Sequence, residues 1–314
     1  MPDAVTIVDI GSNSVSVARY GRTAGAPERL AKASARMQLY LQLDVHGDFP
    51  PSVAHEAVET LRGLLAEVGA GNLPTFGVAT SAVRDARNGA AFINVIRYAL
   101  GIDLRIIDGP EEAALAAEAV VAEGTRMNGI VMDLGGGSLQ LARLEKGMLI
   151  EHHSLPLGTL RVNREYLAHD PPTPSEVASL RAAVRASLAT IAVHPRDAPI
   201  GVGGTVRALG KLARDRGARK DLVPIAILRA IVAELLALEP AARAAMRGLP
   251  PHRADTILPG ALVIETVLTA QGFESLAVSG AGVRDGLAAR RLTGGACDLV
   301  GATPRPVHKV PPPK

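Results

Sequence analysis

The sequence predicts a mixed α/β fold built as two similar halves, on three observations. At 314 residues the chain fits two domains of roughly 100 to 200 residues each. Short apolar strands alternate with longer segments of helical period along its length. One short motif also occurs twice, with Asp9 and Asp133 at equivalent positions 124 residues apart.

Strands are predicted over 4–10, 14–21, 74–79, 103–107, 129–134, 139–144, 148–154, 198–202 and 275–279. Helices are predicted over 52–69, 86–100, 110–123, 175–193, 205–217, 224–238, 240–247, 256–271 and 283–292. Domains of 1–124 and 125–300 follow, with 301–314 as a Pro-rich tail containing TPRPVHKVPPPK. The stretch DPPTPSE, Asp170 to Glu176, reads as a rigid loop in which Ser175 can cap the next helix. The helix over 283–292 is the candidate for carrying the chain back between the domains.

Composition narrows the function classes. Hydrophobic residues make up 47% and charged ones 21%, without an apolar run of membrane-spanning length, so a soluble globular protein is expected. The start, MPDAVTIVDIG, lacks a basic region and a cleavage site, and the single Cys297 cannot form an internal disulfide. A cytoplasmic protein without a membrane partner is the simplest expectation. A net charge of +3, few aromatics and no Trp argue against a base-stacking nucleic-acid surface and leave a small or linear polyanion open.

Laid without gaps over VDIGSNSVSVARY, Val8 to Tyr20, the segment MDLGGGSLQLARL, Met132 to Leu144, matches at Asp9/Asp133, Gly11/Gly135, Ser14/Ser138, Ala18/Ala142 and Arg19/Arg143. In both copies an apolar strand ends in Asp, a small-residue turn follows, and a second strand alternates through Val15 and Val17 or Leu139 and Leu141. Such a turn joins antiparallel strands, whereas a dinucleotide fingerprint needs a helix directly after its glycines. Glycines let backbone amides converge on an anion, because no Cβ intervenes and positive φ costs little. Gly11, Ser12, Asn13 and Ser14 supply donors in the first turn, and Gly135, Gly136, Gly137 and Ser138 in the second. An ordinary hairpin explains either turn alone. Asp9 and Asp133 shift the balance, since a carboxylate beside a phosphate-binding turn is explained by a bridging divalent cation.

Two further glycine loops, IGVGGTVRALGKL with Gly203, Gly204 and Thr205, and VSGAGVRDGL, each run from strand to helix and aim helix N-terminal amides into the loop. Neither has Walker spacing. In DGPEEA, Asp108 or Gly109 can cap a helix, Pro110 suits its first turn, and Glu111 and Glu112 complement its dipole. Arg207, Lys211 and Arg214 are spaced to share one helical face, which is either a solvated surface or a track for a polyanion. His152 and His153 fall on opposite faces of a strand and cannot jointly grip a metal.

These segments in this order resemble the exopolyphosphatase and guanosine pentaphosphate phosphohydrolase family, two-domain members of the actin, sugar-kinase and Hsp70 superfamily. The resemblance rests on VDIGSNSV, ATSAVRDARNG, DGPEEA, DLGGGS, SLPLGTLRV, GVGGTVRAL, RADTILPGAL and VSGAGVRDGL. It implies two actin-like, ribonuclease H-like α/β domains around an interdomain cleft, in the short form without extra C-terminal helical domains. It also implies that the turns at Asp9 to Ser14 and Asp133 to Ser138 grip phosphate from opposite walls of that cleft. Ser81 and Arg84 match a phosphate-contacting segment, and Gly203, Gly204 and Thr205 the third glycine loop. Glu112, with Glu111 second, matches the general base toward the attacking water. Mg²⁺, or Mn²⁺ in its place, is the implied cofactor, held by Asp9 or Asp133 directly or through water, and a homodimer the expected assembly.

One residue departs from the pattern. The family's second loop usually continues GGGSTEL, whereas here Leu139 and Gln140 follow Ser138. A Gln keeps the shape of a Glu without its charge, so a weaker or altered metal site is expected. Release of terminal phosphate from inorganic polyphosphate is the leading expectation. Hydrolysis of guanosine pentaphosphate to the tetraphosphate, phosphoryl transfer to ADP or a sugar, and non-catalytic binding of polyphosphate or guanosine nucleotides are the alternatives.

Overall fold

The computed structural model describes residues 2–23, 27–124, 127–189, 191 and 199–293, so Cys297 and the Pro-rich tail lie outside the described residues. The first half runs β1 (Ala4–Ile10), β2 (Ser14–Gly21), β3 (Glu28–Arg36), α1 (Pro51–Glu67), β4 (Thr75–Ala79), α2 (Ser81–Asp85), α3 (Gly89–Leu100), β5 (Asp103–Ile106) and α4 (Gly109–Ala122). The second runs β6 (Gly129–Leu134), β7 (Leu139–Glu145), β8 (Met148–Leu155), α5 (Thr159–Tyr166), α6 (Pro174–Leu188), β9 (Pro199–Val202), α7 (Gly203–Asp215), β10 (Leu222–Pro224), α8 (Ile225–Ala237), α9 (Pro240–Ala244), α10 (Ile257–Ala270), β11 (Ser275–Val278) and α11 (Val283–Thr293).

The repeat in the sequence is a repeat of topology. The first sheet is ordered β3-β2-β1-β4-β5, and the second, read from the other edge, β8-β7-β6-β9-β11 with β10 added outside. Counted within each half, both run third, second, first, fourth strand, followed by the fifth strand in the first half and by the sixth, β11, in the second. The hairpins share their register, with Asp9 opposite Ser16 and Asp133 opposite Gln140. The chain thus consists of two α/β halves of related topology, as expected from the sequence.

Burial places the helices in layers. One apolar cluster joins Val8, Ile10, Val15 and Val17 of the first sheet to α1 and α3. Another joins the second sheet to α6, α7, α8 and α10. A third lies between the sheets, where Ile7 and Tyr20 from one side and Val131, Leu144 and Val202 from the other close over Leu115 and Val120 of α4 and Leu287 and Leu292 of α11. α11 packs on α4 and β1, so the chain does cross back from the second half to the first.

Local chemistry fixes the helix starts. Asp108 caps α4, its carboxylate accepting from Glu111 N at 2.8 Å. At α6 the cap is Thr173 rather than Ser175, because Pro174 takes the first helical position and Glu176 returns a bond to Thr173 N. The helix expected over 86–100 begins at Gly89, with α2 a separate short turn before it. Strands β3 and β10 and helix α5 were not expected from the sequence.

Candidate active site

Both central strands, β1 and β6, carry an aspartate one residue before their last, and the turn after each is closed in the same way. Gly11 N donates to Ser14 O at 3.1 Å, and Gly135 N to Ser138 O at 2.9 Å. Gly11, Gly135, Gly136 and Gly137 are absent from the positive-φ positions, unlike Gly203 at 90°, so backbone freedom does not explain these glycines. Close approach does: a Cβ on Gly137 would lie 2.4 Å from Ser81 Oγ and 2.7 Å from Ser12 Oγ, and one on Gly136 3.0 Å from Asn13 N. The two turns therefore abut at the floor of the cleft instead of facing each other from opposite walls. Arg161 of α5 braces this contact, its Nε donating to Gly137 O at 2.8 Å and its guanidinium pairing with Asp85 of α2.

Around this floor the cleft is lined by Asp9, Gly11, Ser12, Asn13, Ser14, Thr80, Glu112, Asp133, Gly135, Gly136, Gly137, Ser138, Gly203, Gly204 and Thr205. α7 begins at Gly203, so its first amides open into the cleft. Four cations complete the lining: Lys32 from β3, Arg207 from α7, Arg253 from the turn before α10, and Arg284 from α11. Arg284 Nη1 lies 3.6 Å from Asp9 Oδ2. Among the described residues no aromatic side chain lines the cleft.

The carboxyls of the site are held toward their neutral forms. Burial pushes Glu112 up to about 8, against the pull of Arg84, with Asp133 and Asp9 adding to the rise. Burial and the neighbouring Asp9 charge push Asp133 up to about 6, and burial raises Asp9 against Arg284 and Lys32. Among the described residues no three His, Cys, Asp or Glu side chains form a metal cage. A pair of repelling, desolvated carboxylates beside a floor of glycine amides and hydroxyls nevertheless fits Mg²⁺, which uses one or two carboxylates and completes its shell with water and phosphate oxygens.

The two candidate glutamates separate, since consecutive helical residues point about 100° apart. Glu112 lines the cleft, and its Oε2 accepts from Arg84 Nη1 at 2.9 Å and from Gln140 Nε2 at 3.1 Å. Glu111 instead pairs with Arg105 at 2.5 Å and Arg290 at 3.1 Å and does not line the cleft. Ser81 and Arg84 do not line it either: Ser81 Oγ donates to Asp85 at 3.2 Å, and Arg84 is committed to Glu112 and Ile107 O. Of the basic track only Arg207 reaches the cleft; Lys211 and Arg214 are exposed further along α7. Gln140 lies behind Glu112 and outside the lining, so it is not placed as a cation ligand. Lys32, Arg253 and Arg284 went unnoticed as site residues, although the last two stand inside the quoted segments RADTILPGAL and VSGAGVRDGL.

Comparison with known proteins decides the family. A model of the Ppx/GppA phosphatase family matches residues 17–293. The chain belongs to the Ppx/GppA phosphatase family. Exopolyphosphatase 1 of Mycobacterium leprae is 30% identical over 304 residues, covering 91% of this chain and 88% of the relative. The guanosine-5'-triphosphate,3'-diphosphate pyrophosphatase of Aeromonas hydrophila is 25% identical over 291 residues, covering 89% of this chain and 58% of the relative. A solved exopolyphosphatase-like protein superposes with a TM-score of 0.83 at 25% identity, covering 92% of this chain and 98% of that one. The Aquifex aeolicus member of the Ppx/GppA family shares the fold, with a TM-score of 0.78, 22% identity and coverage of 93% and 98%.

Proposed function

We propose that this protein is a Mg²⁺-dependent exopolyphosphatase that removes terminal phosphate from inorganic polyphosphate. The observation that carries the reading is the cleft lining, which among the described residues offers hydroxyls, glycine amides and four cations with no aromatic ring. Such a surface recognises phosphate after phosphate and offers no platform for stacking a guanine base. The names of the relatives, exopolyphosphatases and a guanosine-5'-triphosphate,3'-diphosphate pyrophosphatase, fit phosphoanhydride chemistry.

The turn amides of Gly11 to Ser14 and Gly135 to Ser138, with Thr205 on α7, hold the terminal phosphoryl group for in-line attack. Asp9 and Asp133 would hold Mg²⁺, which when bound neutralises phosphate charge. Glu112 orients water and takes its proton, a role worth about 10² to 10⁴ in rate. Lys32, Arg207, Arg253 and Arg284 hold the rest of the chain, and they belong to elements from both halves.

The test is orthophosphate release from polyphosphate and from guanosine pentaphosphate, with and without Mg²⁺, and with and without ADP. Turnover of polyphosphate that needs Mg²⁺, ignores ADP and falls about 10²-fold or more in Glu112→Gln is expected. Preference for guanosine pentaphosphate, or ATP formation from ADP, would replace the reading by the corresponding alternative. Tight polyphosphate binding without release would make the protein a binder.

A further inference from the structure

Gln140 occupies an unusual position for an uncharged residue. It stands on β7 directly opposite Asp133, is 1% exposed, and lies outside the cleft lining. Its Nε2 is within 3.1 Å of Glu112 Oε2, 2.8 Å of Ser138 Oγ and 3.2 Å of Ser154 Oγ, while its Oε1 is buried without a hydrogen-bond partner. A buried amide with one face oversubscribed and the other unmet calls for a functional explanation, because packing would favour an apolar side chain there.

The partners supply that explanation. Gln140 and Arg84 both donate to Glu112 Oε2, and no described side chain donates to Glu112 Oε1. One oxygen of the carboxyl is thus pinned from behind, leaving the other to meet water. The same amide reaches Ser138, which lines the cleft, so it fixes the distance between the base and the phosphate turn. A carboxylate in this position would compete with Glu112 for a proton; an amide cannot.

We propose that Gln140 is a positioning residue that acts through Glu112, holding Oε2 so that Oε1 faces the attacking water at a set distance from the Ser138 turn. The proposal rests on Glu112 being the base in the function proposed above.

A kinetic double-mutant cycle with Gln140→Met and Glu112→Gln on polyphosphate and Mg²⁺ tests it. Gln140→Met is expected to lower kcat roughly tenfold with KM within about twofold, and to change the residual rate of Glu112→Gln by less than about twofold. Gln140→Asn keeps the amide but withdraws it by one methylene, and the same selective fall in kcat is expected. Unchanged kcat in both variants, or an equal loss with and without Glu112, overturns the proposal. If the wild-type protein releases no phosphate from either substrate, the hydrolase reading falls on its own. Thermal melting of the same four proteins then decides the contact: non-additive shifts uphold it, and additive shifts overturn it.

Discussion

Arg84 and Glu112 stand 28 residues apart in sequence and meet at 2.9 Å between Nη1 and Oε2. The arginine expected to touch phosphate instead restrains the carboxyl proposed as the base. A facing cation lowers a carboxyl pKa by about 1 to 3 units, so its removal raises it. In Arg84→Met the acid limb of kcat against pH is expected to move up by about one unit or more, with KM little changed. A rise in KM with an unmoved limb would return Arg84 to phosphate binding.

Glu112 also sets a stability profile. Its folded value of about 8 lies above the ordinary 4.5, so the folded state keeps a proton that the unfolded state loses. Stability from this group is fully present below about pH 4.5 and is lost as pH rises through about 8. Glu112→Gln does not titrate. In the metal-free protein its melting temperature should therefore gain on the wild type between pH 5 and pH 8.5, and a constant difference would contradict the buried, neutral carboxyl.

Lys32 titrates in the opposite sense. Partial desolvation where it lines the cleft, with the repulsion of Arg284, Arg207 and Arg29, lowers it to about 8, so it is charged below that pH and neutral above. For polyphosphate, kcat/KM should fall above pH 8 as one cation is lost from the cleft, and Lys32→Arg should remove that fall. An identical alkaline limb in the variant would assign it to another group.

Glycine position decides the sign of the effect of added bulk. Gly137→Ala places a methyl against Ser81 and Ser12 and should lower stability by about 1 to 3 kcal/mol and raise KM. Gly63 lies exposed inside α1 with nothing within 4 Å of its added Cβ, and Gly63→Ala should raise stability by about 0.5 to 1 kcal/mol. Differential scanning calorimetry of the pair checks both signs.

What the sequence revealed and concealed follows from how local each signal is. The two aspartate-ended hairpins and the Asp108 cap are written in adjacent residues, and they were legible. Strand β3, ERLAKASAR, was not: it is an edge strand with only Ala33 buried, so no alternation of apolar residues announces it. Missing β3 hid Lys32. Arg253 and Arg284 reach the cleft through the packing of distant elements, which no spacing encodes. The glycines of the second turn were visible, but their reason, contact with Ser12, Asn13 and Ser81, is tertiary.

The return of α11 to the first half has a consequence for synthesis. Asp9 leaves the ribosome 275 residues before Arg284, its cationic neighbour, and Tyr20 well before Asp285, which accepts from it at 3.0 Å. Until then the apolar face of β1 and α4 lacks its cover of Leu287 and Leu292. Between those two points of synthesis the cleft lacks the arginine beside Asp9. A chain stopped before residue 283 would leave that face of β1 and α4 bare and Asp9 without its arginine.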